Sequence, residues 1–120
     1  MLKNDFYTVH ELQPGDHSLA CRIRFNAGHD IFKGHFPQQP VVPGVCMMQI
    51  VKELLEEQTG RRYLLSQVPQ VKFLQLILPE TEPEVTITWQ EDDGLLSVNA
   101  MFKKDGAALF KMNGKFKIES

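Results

Sequence analysis

Only two cysteines occur in the chain, Cys21 and Cys46, and their wide separation fits neither a disulfide framework nor a zinc spacing. Both are expected as reduced thiols. A dominant charge is missing too: thirteen Lys and Arg against fifteen Asp and Glu leave a net charge of -2. The basic residues are scattered and not gathered into a stripe, which removes the electrostatic argument for nucleic acid. No apolar run approaches the length of a membrane helix. The first residues, MLKNDFYTVHELQPGD, place charges and a Pro-Gly turn where a signal peptide needs an unbroken apolar stretch. The expectation is a cytoplasmic protein with no membrane partner. Repeats and low-complexity segments are also absent, so the 120 residues are read as one domain, 1–120, large enough to bury a single core.

What is present is a regular succession of apolar patterns. A strand over Asp5–Leu12, a turn at Gln13-Pro14-Gly15-Asp16 and a strand over His17–Phe25 come first. In the second strand Leu19, Cys21, Ile23 and Phe25 share one face, and Ser18, Arg22 and Arg24 the other, the period of two that specifies a half-buried strand. The segment Asn26–Val42 is rich in Gly, Pro, His and Gln and is read as a loop without regular structure. From Pro43 to Thr59 the pattern is helical. Pro43 suits the first helical position and Gly60 the residue just past the end. The first two turns are apolar on nearly every side, whereas Lys52, Glu53, Glu56, Glu57 and Gln58 crowd the last two, so the helix is expected to be buried at its start and solvated at its end. Five further strands follow at Tyr63–Leu65, Val71–Leu78, Glu84–Gln90, Leu95–Lys103 and Ala107–Ile118. Asp93-Gly94 and Asp105-Gly106 are hairpin signals that make the last three an antiparallel meander. The sum is an α+β domain, an antiparallel sheet of five to six strands with one long helix.

The loop and helix start read His29-Asp30-Ile31-Phe32-Lys33-Gly34-His35-Phe36-Pro37-Gln38-Gln39-Pro40-Val41-Val42-Pro43-Gly44-Val45. This run closely resembles the active-site signature of the beta-hydroxyacyl-acyl-carrier-protein dehydratases, in which a Gly-His-Phe-Pro loop leads through a second Pro into Pro-Gly-Val at a helix start. Val71-Lys72-Phe73 followed by Pro79 is similar to that family's Lys-Phe strand with a proline after it. The resemblance implies a hotdog fold, the sheet wrapped round the central helix. It further implies an acyl thioester on acyl carrier protein or coenzyme A as ligand, a homodimer or an assembly of dimers, and no cofactor. The active site would form between subunits beside an apolar tunnel for the acyl chain.

Dehydration of a beta-hydroxyacyl thioester has three tasks: a base takes the proton beside the carbonyl, the thioester oxygen gains negative charge, and the hydroxyl departs with a proton. By resemblance His35 is the catalytic histidine, and imidazole titrates close to neutral pH. Gly44, in the first helical turn where backbone N–H groups lack partners, would hold the thioester oxygen. Phe36, Pro37, Val42, Pro43 and Val45 would bind substrate around it. The third position departs from the family. Fourteen residues after the histidine the dehydratases carry Glu or Asp, and this chain has Gln49. An amide exchanges no proton at neutral pH but still donates and accepts hydrogen bonds, and losing a general acid typically removes on the order of 10²- to 10⁴-fold in rate. Three readings therefore stand: a dehydratase with an altered acid, a non-catalytic acyl-carrier-binding or partner subunit, and a hotdog acyl thioesterase.

Glu53 lies one helical turn beyond Gln49, offset by about 6 Å along the axis, and is expected as a solvated surface residue. Cys46 near the helix start has apolar neighbours and is expected to be buried. His29 and Asp30 with His35 fit no helical or hairpin zinc pattern, so no metal site is assigned. Met47, Met48, Met101 and Met112 suit core or tunnel packing. Arg61, Arg62, Lys72, Lys103 and Lys104 are generic surface basics that would suit an acidic carrier protein.

Overall fold

A computed structural model of the chain describes residues 1–33, 40–67 and 69–119. Among the described residues, seven strands and two helices follow one another as β1 (Tyr7–Gly15), β2 (Ser18–Phe25), α1 (Asp30–Lys33), α2 (Gly44–Thr59), β3 (Tyr63–Leu65), β4 (Gln70–Phe73), β5 (Glu84–Asp92), β6 (Leu95–Lys104) and β7 (Ala107–Ile118). Every strand pairing is antiparallel, in the order β1-β2-β5-β6-β7-β3, and β4 also pairs with β7. The strand number exceeds the expected five to six because β3 and β4 share one edge. β3 takes the Phe116–Ile118 end of β7, and β4 takes Phe110–Asn113.

The alternation in β2 is as expected, with Leu19, Cys21, Ile23 and Phe25 all buried. They join a continuous core with Val85, Ile87 and Trp89 of β5, Leu96, Val98, Ala100 and Phe102 of β6, and Phe110, Met112 and Phe116 of β7. The buried stripe of α2, namely Cys46, Met47, Ile50, Val51, Leu54 and Leu55, belongs to the same core. Recurrence every three to four residues turns one helical face to the sheet. The β5-β6-β7 meander is joined at Asp93-Gly94 and Asp105-Gly106, where all four residues have φ between 52° and 82°, the double left-handed turn that matches strand twist.

Several boundaries differ from the sequence reading. The first turn is not Gln13–Asp16. β1 runs on to Gly15, Pro14 faces Leu19 in the ladder, and Asp16 and His17 alone make the connection. Pro14 is tolerated because β1 is an edge strand, and a register shift between His10 and Gln13, with Glu11 at φ 55°, absorbs the extra residues. The loop 26–42 contains the short helix α1. Its Phe32 is buried and stacks on Phe6 with centroids 5.1 Å apart, so one apolar anchor orders a polar segment. The strand expected over Val71–Leu78 ends at Phe73. Pro43 is the N-cap, with φ -65° and ψ 146°, and Gly60 closes the helix in the left-handed conformation with its N–H on the Glu56 carbonyl. Among the described residues no helix is long and apolar enough to cross a membrane.

The expected gradient along α2 is also corrected. Val45 at its start is 70% exposed, while Glu53, Leu54 and Leu55 further on are buried. A helix lying across a curved sheet is covered on one side along its whole length, so its direction relative to the sheet decides exposure.

Candidate active site

The start of α2 is anchored from outside the helix. Val42 donates its N–H to the Ile77 carbonyl at 2.7 Å, tying the entering chain to the segment after β4. The Pro43 carbonyl accepts from the N–H groups of Cys46 and Met47 at 3.0 and 3.2 Å. Gly44, the first helical residue, has no intrahelical acceptor for its own N–H, as holds for any first-turn residue. That donor lies at the positive end of the helix dipole.

Val42, Pro43 and Gly44 line a groove of about 500 Å³ with Val41, Met47 and the run from Phe73 to Ile77. The opposite wall is mainly apolar: Phe73 is 59% and Leu76 69% exposed, and Leu74 is also exposed. Phe73 explains why the first helical residue is glycine. A Cβ on Gly44 would stand 2.5 Å from Phe73 Cε1 and 2.6 Å from Cζ, so only a residue without a side chain lets the ring lie against the helix start. Val45, assigned by sequence to substrate binding, is not in the groove lining and faces outward.

Gln49 lies elsewhere. It does not line the groove, and its Nε2 donates to Glu53 Oε2 at 2.9 Å. Glu53, expected at the surface, is 0% exposed. Its Oε2 also accepts the Leu2 N–H at 2.8 Å, and its Oε1 accepts the Lys3 N–H at 2.9 Å and the Tyr7 hydroxyl at 3.0 Å. Burial pushes the Glu53 carboxyl up, but the bonds from Leu2, Gln49, Tyr7 and Lys3 outweigh it and hold the group below its ordinary value of 4.5. Burial, the charge of Glu53 and their hydrogen bond push the Tyr7 hydroxyl far above its usual range. Two donors on each oxygen fill the carboxylate's acceptor sites. Glu53 therefore has no free lone pair for a substrate proton.

His35, Phe36 and Pro37 lie outside the described residues. Of the other candidates, Cys46 is buried and its thiol is raised by that burial, which suits a core residue better than a nucleophile. Burial likewise pushes the Cys21 thiol up to about 11, against a small lowering from Lys3. His29 caps α1: its Nδ1 accepts the Ile31 N–H at 3.1 Å, its Nε2 meets Asp5 Oδ2 at 3.1 Å, and its ring stands edge-on to Phe6. Because Nδ1 is an acceptor, the ring proton is on Nε2. Met47 and Met112 are core, and Arg61 is paired with Glu91 at 3.0 Å.

Two residues that matter here escaped the sequence reading, Tyr7 and Phe73 as contacts of Glu53 and Gly44. The four-residue spacing from Gln49 to Glu53 was the available signal for the node. Donors from residues 2, 3 and 7 had no local trace.

The comparisons with known proteins agree with this architecture. The ApeI-like family, described as ApeI dehydratase, matches residues 11–112. The chain is 30% identical over 79 residues to the 3-hydroxyacyl-(acyl-carrier-protein) dehydratase FabZ of Clostridium acetobutylicum, covering 59% of this chain and 55% of that protein. A FabZ of Lactobacillus helveticus is 27% identical over 90 residues, 69% of this chain and 60% of that protein. The chain thus spans little more than half the length of the curated relatives it matches. Among solved structures, the dehydratase heterocomplex ApeI:P from Xenorhabdus doucetiae superposes with a TM-score of 0.70 at 26% identity, covering 90% of this chain and 92% of that one. A hypothetical thioesterase with coenzyme A from Streptococcus pneumoniae superposes with a TM-score of 0.69 at 6% identity over 98% of this chain and 92% of that one, a likeness of fold alone. The fold is the hotdog fold.

Proposed function

This chain belongs to the ApeI-like dehydratase family, and from that premise we propose that it removes water from a 3-hydroxyacyl thioester to give the trans-2-enoyl thioester. The carrier is acyl carrier protein or coenzyme A. The observation that carries the reading is that Gly44, whose first-turn N–H has no intrahelical acceptor, lines an apolar groove of about 500 Å³. Such a groove suits an acyl chain, and a helix N-terminus suits the oxygen on which charge develops.

In this reading His35 takes the proton from the carbon beside the thioester carbonyl, and the electron pair moves onto the thioester oxygen held by Gly44. The pair returns to form the carbon–carbon double bond as the carbon–oxygen bond to the hydroxyl breaks. The proton on His35 passes to the departing oxygen, and water leaves. No electrons are exchanged with a second reactant. Gln49 neither gives nor takes a proton and serves by holding the hydroxyl through a hydrogen bond.

The working unit is proposed as a dimer in which His35 of one subunit faces the helix of the other. The outer edge of β4, unpaired among the described residues, and the exposed Phe73, Leu74, Leu76 and Val45 support it, since a free strand edge with apolar flanks is a pairing surface. A second reading has its own support: Gln49 is committed to Glu53, and an ApeI protein is known from a heterocomplex. In that case the chain is the partner of a carboxylate-bearing hotdog subunit.

The test is turnover of a 3-hydroxyacyl thioester by the purified protein, following enoyl formation and free thiol together. Enoyl formation abolished by His35→Ala supports the dehydratase. No enoyl until a second hotdog chain is added supports the partner subunit, and thiol release without enoyl overturns both.

A further inference from the structure

Glu53 is the one charged side chain fully buried among the described residues, and the proposed reaction gives it no task. Its partners show what it holds. Leu2 and Lys3 donate their backbone N–H groups to its two oxygens at 2.8 and 2.9 Å, and the Lys3 ammonium is paired with Glu57 one turn further along α2. Directly after these residues the chain closes on itself. Asp5 and Phe6 donate their N–H groups to the Leu2 carbonyl at 3.1 and 2.7 Å, and Asn4, at φ 68°, donates to the Tyr7 carbonyl at 2.7 Å. Residues 2–6 thus form a tight knot fastened on one side to the middle of α2.

The other side is fastened to α1. Phe6 is 0% exposed and meets three rings: Phe32 stacked at 5.1 Å, His29 edge-on at 5.3 Å and Phe25 at 5.6 Å. Asp5 Oδ2 accepts from His29 Nε2 at 3.1 Å, and the Asp5 carbonyl accepts from Asn26 Nδ2 at 3.0 Å. The Phe6 carbonyl accepts the Asn26 N–H at 2.8 Å. A single helical turn does not hold its own shape in water, and Phe32 is the only buried side chain of α1. Residues 5 and 6 supply the anchor that four residues of helix lack.

We propose that residues 2–6 are a strap that positions His35, with Phe6 and Asp5 as positioning residues and Glu53 as the fixed point on α2. α1 ends at Lys33, two residues before His35 in the chain. Two residues span at most about 7 Å, too short a tether to absorb a displacement of α1. That His35 is the base rests on the dehydratase reading above; the attachment of α1 does not. A reacting group misplaced by about 1 Å can lose about 100-fold in rate. The groove beside Gly44 includes none of the strap residues, so its hold on a thioester is independent of them. The strap therefore governs the rate of proton removal and leaves binding alone.

The experiment uses the full chain with Phe6→Leu, which keeps an apolar side chain but removes the ring, Asp5→Ala, which removes the acceptor facing His29, and Asp5→Asn, which restores an acceptor without the charge. The first readout needs no activity: the histidine ring signals in ¹³C–¹H NMR, that of His35 assigned by its loss in His35→Ala. Phe6→Leu and Asp5→Ala should move the His35 signal and speed amide exchange at Ile31 and Phe32, leave the His10 and His17 signals in place, and Asp5→Asn should bring the His35 signal back. The second readout is enoyl formation from a 3-hydroxyacyl pantetheine thioester. In Phe6→Leu kcat should fall at least about tenfold with KM within about twofold, and Asp5→Asn should recover most of what Asp5→Ala loses. An unmoved His35 signal in both Phe6→Leu and Asp5→Ala overturns the proposal, as does an unchanged kcat while α1 exchanges faster, or a loss carried by KM alone. If Phe6→Leu does not fold, the two Asp5 variants decide. If the unaltered protein forms no enoyl, the dehydratase reading falls while the His35 signal still decides the strap.

Discussion

Two stretches of the same helix, little more than a turn apart, are built in opposite ways. At Gly44 a helix start with a free first-turn donor lines an apolar groove, and the adjoining wall is the exposed ring of Phe73. At Gln49 and Glu53 a charge is withdrawn from water and every acceptor site is filled. The first stretch leaves a backbone donor without an intrahelical partner. The second has no acceptor to spare and joins residues 2, 3 and 7 to the middle of α2. The proposed site is thus seated on a helix whose middle is held by a saturated polar node.

The sharpest way to break this contrast is Glu53→Leu, which strands four donors, three of them from other segments. It should destabilise the fold by about 3–5 kcal/mol, read as a lower midpoint in denaturant; a loss below about 1 kcal/mol would mean that water replaces the carboxylate. Gly44→Ala is the converse. Its Cβ displaces the end of the Phe73 ring and crowds the N–H, so turnover or thioester binding should fall about 100-fold, close to the loss of one oxyanion donor. Unfolding stability should change by less than about 1 kcal/mol, since alanine favours the helix while the ring must move.

Acid separates the two regions further. The Glu53 carboxyl is held below 4.5 in the folded protein, so the unfolded chain binds the proton more readily. The node's stabilisation is complete above that ordinary value and is lost as pH falls through the lower folded value. Glu53→Gln should flatten this acid limb in pH-dependent denaturation, and Gly44→Ala should leave it unaltered. The smallest effect is expected at α1, the short helix before His35 in the chain. His29→Ala removes the cap of α1 and should cost about 1 kcal/mol, seen as faster amide exchange at Ile31 and Phe32 with little change in global stability.

Much of the architecture was legible along the chain. Alternation in β2, the Asp-Gly pairs of the meander and the Pro43 and Gly60 markers of α2 are local signals, and they located the elements to within a few residues. The turn at Gln13–Asp16 was misplaced because a proline signal cannot reveal whether its strand is at an edge. Phe32 shows the reverse: a single aromatic with a distant partner, Phe6, ordered a segment too polar to be read as helix. At the start of α2, Gly44 was legible as a first-turn residue because glycine after proline at a helix start has a backbone meaning of its own.

Glu53 was misread for a different reason. A glutamate among Lys52, Glu56 and Glu57 has the local pattern of a solvated face, and no local rule distinguishes it from them. The sequence by itself determined the element types, the apolar faces and the glycine at the helix start, because each depends on a residue and its near neighbours. Only the tertiary structure decided that Glu53 is buried, that Phe73 covers Gly44 and that Val45 faces outward. Those facts depend on which distant donors and rings the folded sheet brings to α2, and the free energy of a charge or a ring depends on that company.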